Sequence, residues 1–283
     1  MSQAETAGPT AAAVRPLALL GSELATLFRR WRTITMLSAL AAVPVLIGIA
    51  VRVAGAGSGR GPAFIGAITD NGLFVAFTAI AVSIPVFLPM TLAVVAGDTI
   101  AGEASLGTLR YLLVAPSGRL RILLVKYAAC AAFAIAATLT VALFGCLIGA
   151  ILFHIGPVTL LSGSQVGFWG FSGRILLLAL YETVSLLGLA AIGLFASTLT
   201  SVPVGAMAAT IVLAAVAQVV DALPQLDWIH PWLFSHYWLG IADVLRSPVE
   251  WGSFLSNLWL QLGYLAVFGA LAYGRFTTKD IAS

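Results

Sequence analysis

Charge is what this sequence has least of. Only 9% of its 283 residues are Asp, Glu, Lys or Arg, while 60% are apolar, against about 25% and about 45 to 50% in soluble domains. Water is therefore excluded as the main solvent of the chain. Lysine occurs twice, as Lys126 after Val125 and Lys279 after Thr278. A phosphate-binding loop needs Gly-x4-Gly-Lys-Ser/Thr, so ATP hydrolysis by that route is excluded. The two cysteines, Cys130 and Cys146, fall in one predicted helix; at about 1.5 Å rise per residue they lie about 24 Å apart and cannot bond to each other. His230 and His236 stand about 240° apart round a helix and His154 is on a different loop, which makes no metal site. Gly163-Ser164-Gln165-Val166-Gly167 only looks like a hydrolase GxSxG motif. Clustered His, Asp or Glu at a membrane face, which a membrane enzyme would need, are also missing.

Long apolar runs are what the sequence has instead. Segments able to cross about 30 Å of hydrocarbon fall near 33–51, 71–96, 122–153, 174–199, 203–220 and 254–273. The fold class predicted is an all-α membrane protein with six transmembrane helices. Residues 1–14 read as a disordered tail and 15–283 as a single transmembrane domain. No cleavable signal peptide is expected, because the first 32 residues have no uninterrupted apolar core. With the N-terminus inside, the inner segments hold ten of the fourteen Lys and Arg residues; Arg52, Arg60, Arg174 and Arg246 stay outside. That asymmetry puts both termini in the cytoplasm of a multi-pass protein of the inner or plasma membrane. The net charge of +3 follows from it. Basic residues next to spans, without a stripe of interleaved aromatics, give no reason to expect nucleic acid.

Within this frame several segments carry information. Leu17, Leu20, Leu24, Leu27, Phe28 and Trp31 form an apolar stripe at helical spacing beside Arg29, Arg30 and Arg32, as in an interfacial helix on the inner leaflet. Residues 55–62, rich in glycine, read as a flexible outer loop. Pro44, Pro85 and Pro89 are expected to kink spans. Gly145 and Gly149 form a GxxxG pair that serves either packing within the bundle or a dimer seam. The segment 221–253 holds Trp228, Trp232, Trp238 and Trp251, an aromatic belt at headgroup depth, with Pro231 opening a short helix through Trp238 towards Leu245 that dips into the outer leaflet. Glu182 is the acidic residue well inside a span. It reads either as a contact for a cationic substrate, as a proton site, or as a buried hydrogen bond to a Ser or Thr.

The most informative stretch is Gly97 to Tyr127, a charged insert between two apolar segments. Read as a helix, it places Glu103, Gly107 and Arg110 on one face and Leu106, Leu109 and Leu113 on another. Asp98 suits the N-cap, and Pro116-Ser117-Gly118 stops the helix. Gly107 leaves room for a partner's backbone.

Glu103, Gly107, Thr108, Leu112, Leu113, Pro116, Arg119 and Lys126 stand in a pattern that resembles the cytoplasmic loop of ATP-binding-cassette (ABC) type 2 permeases. Where that family often carries an acid after Gly-Thr-Leu, this chain has Arg110. The basic helix before the first span, the turn Ser197 to Pro203, the segment before the last span and the closing Phe276 then Asp280-Ile281 are similar to the family as well. The resemblance implies an exporter permease that pairs with a second copy or paralogue and two ATP-binding subunits, with ATP and magnesium bound only in those partners, and no enzyme activity of its own. In that reading the helix at 15–31 is an elbow, and residues before the last span form a re-entrant element. Asp98, Glu103, Gly107, Thr108, Arg110 and Pro116 couple to the ATPase, while Arg119 and Lys126 hold the base of the loop to anionic headgroups. A hydrophobic or amphipathic drug, antibiotic or lipid would be the substrate. The reading from another class is a secondary transporter or channel with Glu182 as its ion or proton site.

Overall fold

The computed structural model describes residues 16–55, 71–108, 118–159 and 165–278. The tail 1–14, residues 56–62 of the glycine-rich loop, Leu109, Arg110, Leu113, Pro116, Lys279 and the closing Asp280-Ile281 lie outside the described residues. The helices are α1 (Pro16–Arg29), α2 (Trp31–Gly55), α3 (Phe74–Ser83), α4 (Phe87–Asp98), α5 (Ala101–Ser105), α6 (Arg119–Leu152), α7 (Phe168–Leu199), α8 (Pro203–Asp221) and α9 (Gly252–Thr278). Short 3-10 stretches at Pro224–Leu226, His230–Trp232 and His236–Leu245 join α8 to α9. Between α6 and α7, β1 (Val158–Thr159) pairs antiparallel with β2 (Gln165–Val166), Val158 opposite Val166.

Among the described residues five helices, α2, α6, α7, α8 and α9, are long and apolar enough to cross a membrane, and α3 with α4, bent by 53°, makes a sixth when the pair is taken as one broken span. These coincide with the six expected segments to within a few residues. The chain is thus an all-α membrane protein. In its most apolar stretch α7 is 72% buried, whereas the other four long helices reach 33% at most. The bundle is accordingly built around α7, and the remaining spans turn rows such as Leu139, Leu143 and Leu147 of α6 outward.

Packing of this kind depends on small residues, because lipid tails compete with any apolar side chain for the same contacts. Gly145 and Gly149 of α6 are both buried. A Cβ on Gly149 would stand 1.9 Å from the Gly72 carbonyl oxygen, and one on Gly145 would stand 2.4 Å from the Ala76 Cα. The GxxxG pair therefore serves packing within the bundle, against α3 and the turn before it.

The bend between α3 and α4 falls at Ile84-Pro85-Val86. Proline lacks the N–H that a continuous helix would use. Gln218 of α8 donates its Nε2 to the Pro85 carbonyl at 2.7 Å, which satisfies part of what the break frees. Pro89 sits in the first turn of α4, where no intrahelical donor is required, and α2 runs through Pro44 without interruption.

The α3–α4 pair and α7 keep one register across this break. The Phe74 and Phe171 rings are 5.4 Å apart near one end. A Cβ on Gly193 would come 2.7 Å from the Ala96 Cβ near the other. Beyond that, Ser197 Oγ of α7 accepts the N–H groups of Ile100 at 2.9 Å and Ala101 at 2.8 Å, capping α5. Pro85 is midway between Phe74 and Ala96, and Glu182 is midway between Phe171 and Gly193. The break and the buried carboxylate therefore stand level.

The segment before α9 differs from the expected helix. It forms two 3-10 pieces, His230–Trp232 and His236–Leu245, the second kinked at Gly240. It folds back onto the bundle: Tyr181 Oη donates to the Tyr237 carbonyl at 2.6 Å and Gln261 Nε2 to the Phe234 carbonyl at 3.0 Å. Trp228, Trp232 and Trp251 are exposed, as a headgroup belt requires, but Trp238 is only 1% exposed and donates its indole N–H to the Ser185 carbonyl at 3.0 Å. Trp238 belongs to the core and not to the belt.

Candidate functional site

At the α5 end of the bundle, charge is concentrated and paired. Glu103 does not present itself outward on a long helix. Over the described residues 98–108, the continuous helix expected from Asp98 towards Pro116 is replaced by the end of α4, a turn, and the five residues of α5. Gly107 has φ of +69°, a left-handed conformation that suits glycine and stops the helix there. The Thr108 N–H donates to the Glu103 carbonyl at 3.0 Å, and its hydroxyl donates to the Glu103 carboxylate, so the turn is locked to the side chain it follows. Asp98 is not the N-cap either. It is the last residue of α4, and its carboxylate receives Arg30 at 3.1 Å and Arg32 at 2.5 Å from the α1–α2 junction.

Lys126 is the centre of a second group. Its ammonium lies 2.9 Å from Glu23 of α1 and 3.1 Å from Glu103 of α5. The side chain is 7% exposed, against 23% and 21% for its partners. A lysine so enclosed holds two carboxylates and cannot reach lipid headgroups, which corrects that expectation. Arg119 is also turned inward: its guanidinium donates to the carbonyl of Phe276 at 3.1 Å and to that of Thr277. A cation at these last carbonyls of α9 compensates the helix C-terminus.

Burial would raise the Glu103 carboxyl; the Thr108 hydroxyl, the charge and hydrogen bond of Lys126 and the charge of Arg30 outweigh it and hold it below the ordinary carboxylate range. Three acids, Glu23, Asp98 and Glu103, and three bases, Arg30, Arg32 and Lys126, line one cavity of about 400 Å³. Its formal charge is balanced. Five helices meet there, and the ion pairs tie the segment between the second and third spans to α1, α2 and α6 together.

Of the residues expected to couple, Asp98 and Glu103 are brought together at this cavity, and Thr108 is bonded to Glu103. Gly107 is at the turn beside it with open space around it, Arg119 is at the base of α6, and Arg110 and Pro116 lie outside the described residues. Glu23, Arg30 and Arg32 had not been connected to them. The available signal was one glutamate inside an arginine-rich amphipathic helix.

Glu182 is far from this cluster along α7, fully buried, and neither carboxylate oxygen has a hydrogen-bond partner among the described residues. The Ser and Thr hydroxyls beside it are engaged elsewhere: Thr183 with Thr138 at 2.8 Å and with the Ala179 carbonyl, and Ser185 with the Tyr181 carbonyl. The buried hydrogen bond to a hydroxyl is therefore not what holds Glu182.

These features define a polytopic α-helical membrane protein with a charge-balanced, multi-helix junction at one end. Residues 62–282 match the model of a family described as a protein of unknown function, DUF2705, and the chain belongs to that family. No curated protein is significantly similar to it.

Proposed function

We propose that the chain is the transmembrane permease subunit of an ABC exporter, moving a hydrophobic or amphipathic substrate with ATP and magnesium bound in two separate ATPase subunits. The observation that carries this reading is the junction of Glu23, Arg30, Arg32, Asp98, Glu103 and Lys126. A push on the segment from Asp98 towards Pro116 passes through these ion pairs to α1 and two further spans, α2 and α6, at once, which is what a mechanical input requires. In this reading α1 is the interfacial elbow, the junction faces the cytoplasm, and the 3-10 stretches before α9 are the re-entrant element over the outer exit. A second copy or a paralogue completes the pathway.

Co-purification of the tagged chain from its native membrane, with vanadate-sensitive ATP hydrolysis as the readout, tests it. An ATPase subunit should accompany the chain, and Glu103→Ala should release or uncouple it. Purification of the chain alone, with transport driven by a proton gradient, would overturn the reading. It would favour the alternative, a secondary transporter using Glu182, for which the unpartnered carboxylate is the specific support.

A further inference from the structure

Four buried side-chain polar atoms have no hydrogen-bond partner among the described residues: both carboxylate oxygens of Glu182, the Ser83 hydroxyl and the Ser235 hydroxyl. Such atoms are few in folded chains, and each calls for a cause. Ser83 and Ser235 flank the Pro85 break, and helix geometry sets Glu182 at about the same depth. Glu182 shares a stripe of α7 with Phe171 and Gly193, about three helical turns from each, and those two meet Phe74 and Ala96. The stripe therefore places Glu182 between these two contacts, as Pro85 lies between Phe74 and Ala96. Ser83 ends α3 at that same break. Against it lies a cavity of about 200 Å³ whose wall includes Pro85, Gln218, Asp221, Ser235, His236 and Trp238.

Acceptors dominate this region. Two carboxylates and two unpartnered hydroxyls are present, while Gln218 has its amide N–H committed to the Pro85 carbonyl. The basic side chain in the wall is His236, whose Nδ1 is 2.8 Å from Asp221 Oδ1. Trp238 and Ile84 supply apolar wall. The volume corresponds to roughly six water molecules. A ligand that matches these groups has a positive charge, several N–H donors on one atom and a small apolar body.

We propose that this region binds the ammonium group of an amphipathic amine, with Asp221 at the cavity and Glu182 at the helix break as its two carboxylates. The ammonium displaces His236 from Asp221, and its remaining donors reach Ser235. A shift of the α3–α4 bend then lets the same group pass to Glu182 and Ser83. The proposal supplies a substrate class for the transport reading and rests on it only in calling the amine a substrate. Binding itself is a property of the chain without ATPase subunits.

The test is isothermal titration calorimetry of the full chain in lipid nanodiscs with benzylammonium chloride, with benzyl alcohol as the neutral isostere and sodium chloride as competitor. Saturable binding of benzylammonium but not of benzyl alcohol is expected. Affinity should fall about tenfold or more in Asp221→Asn and in Glu182→Gln, since each removes a charged acceptor. Ser235→Ala removes a hydroxyl that holds nothing in the fold, so it keeps the test readable, and it should weaken binding about threefold. Glu250→Gln, an exposed carboxylate paired with Arg246, should bind as wild type. Equal binding of the alcohol would reduce the site to an apolar cavity, and displacement by sodium at matched ionic strength would make it an inorganic cation site. Unchanged affinity in all three site variants would remove it altogether. Binding that persists when no ATPase co-purifies would retire the ABC reading and leave the amine site in place.

Discussion

The junction at the α5 end of the bundle and the middle of α7 treat buried charge in opposite ways. At the α5 end every acid in the junction is paired: Glu23 and Glu103 with Lys126, and Asp98 with Arg30 and Arg32. Halfway along the helix, level with the Pro85 break, Glu182 is more deeply buried and has no partner. Pairing satisfies a charge and fixes geometry, whereas an unpaired buried carboxylate costs stability unless something else meets it. The first region therefore holds helices in place relative to one another, and the second is poised for a ligand.

The largest effect that sharpens this contrast is expected from Lys126→Met. It leaves two partly buried carboxylates facing each other without their shared cation. Breaking a buried ion pair costs about 3 to 5 kcal/mol, and the remaining access to water puts this variant near the lower end. Thermal unfolding in nanodiscs should show a clear drop, and an unchanged midpoint would mean that the junction is not structural.

A smaller loss is expected from Gln218→Leu, which removes the donor to the Pro85 carbonyl. Leaving a buried acceptor unsatisfied costs about 1 to 3 kcal/mol. The same measurement reads it, and a stability equal to wild type would show that the break does not depend on α8.

The smallest effect is that of pH on Glu103. Its folded-state carboxyl is held below the ordinary range, so its contribution is present above the unfolded value and is lost as pH falls through the folded one. Wild type should therefore lose stability relative to Glu103→Gln as the pH is lowered into and below the carboxylate range. Parallel pH profiles for the two proteins would contradict the assignment.

Much of the fold was legible because lipid-facing helices announce themselves by apolar length, and the five long helices and the bent α3–α4 pair could all be placed in this way. The Pro85 bend was legible too, since proline withdraws a donor wherever it sits. What answers that bend was not, because Gln218 lies in another span, 133 residues away. The junction failed for the same reason. Glu23 and Lys126 are 103 residues apart, and local rules assign a lysine beside a span to headgroups. Asp98 has the residue type of an N-cap, yet it is the last residue of α4 and the arginines of the α1–α2 junction claim it. Trp238 shares its composition signal with three exposed tryptophans, and only the packing of the 3-10 segment onto α7 separates it from them. Glu182 was conspicuous in the sequence as a carboxylate inside a span, and its burial follows from that place. Its lack of a partner is a property of the whole bundle.

The most direct test compares the same chemical change in the two regions: thermal unfolding of Glu103→Gln and Glu182→Gln in identical nanodiscs at neutral pH. The account predicts that Glu103→Gln lowers the midpoint, because Lys126 loses a charged partner, while Glu182→Gln leaves it unchanged or raises it, because nothing in the fold holds that charge. Equal losses in both variants, or a larger loss for Glu182→Gln, would contradict it.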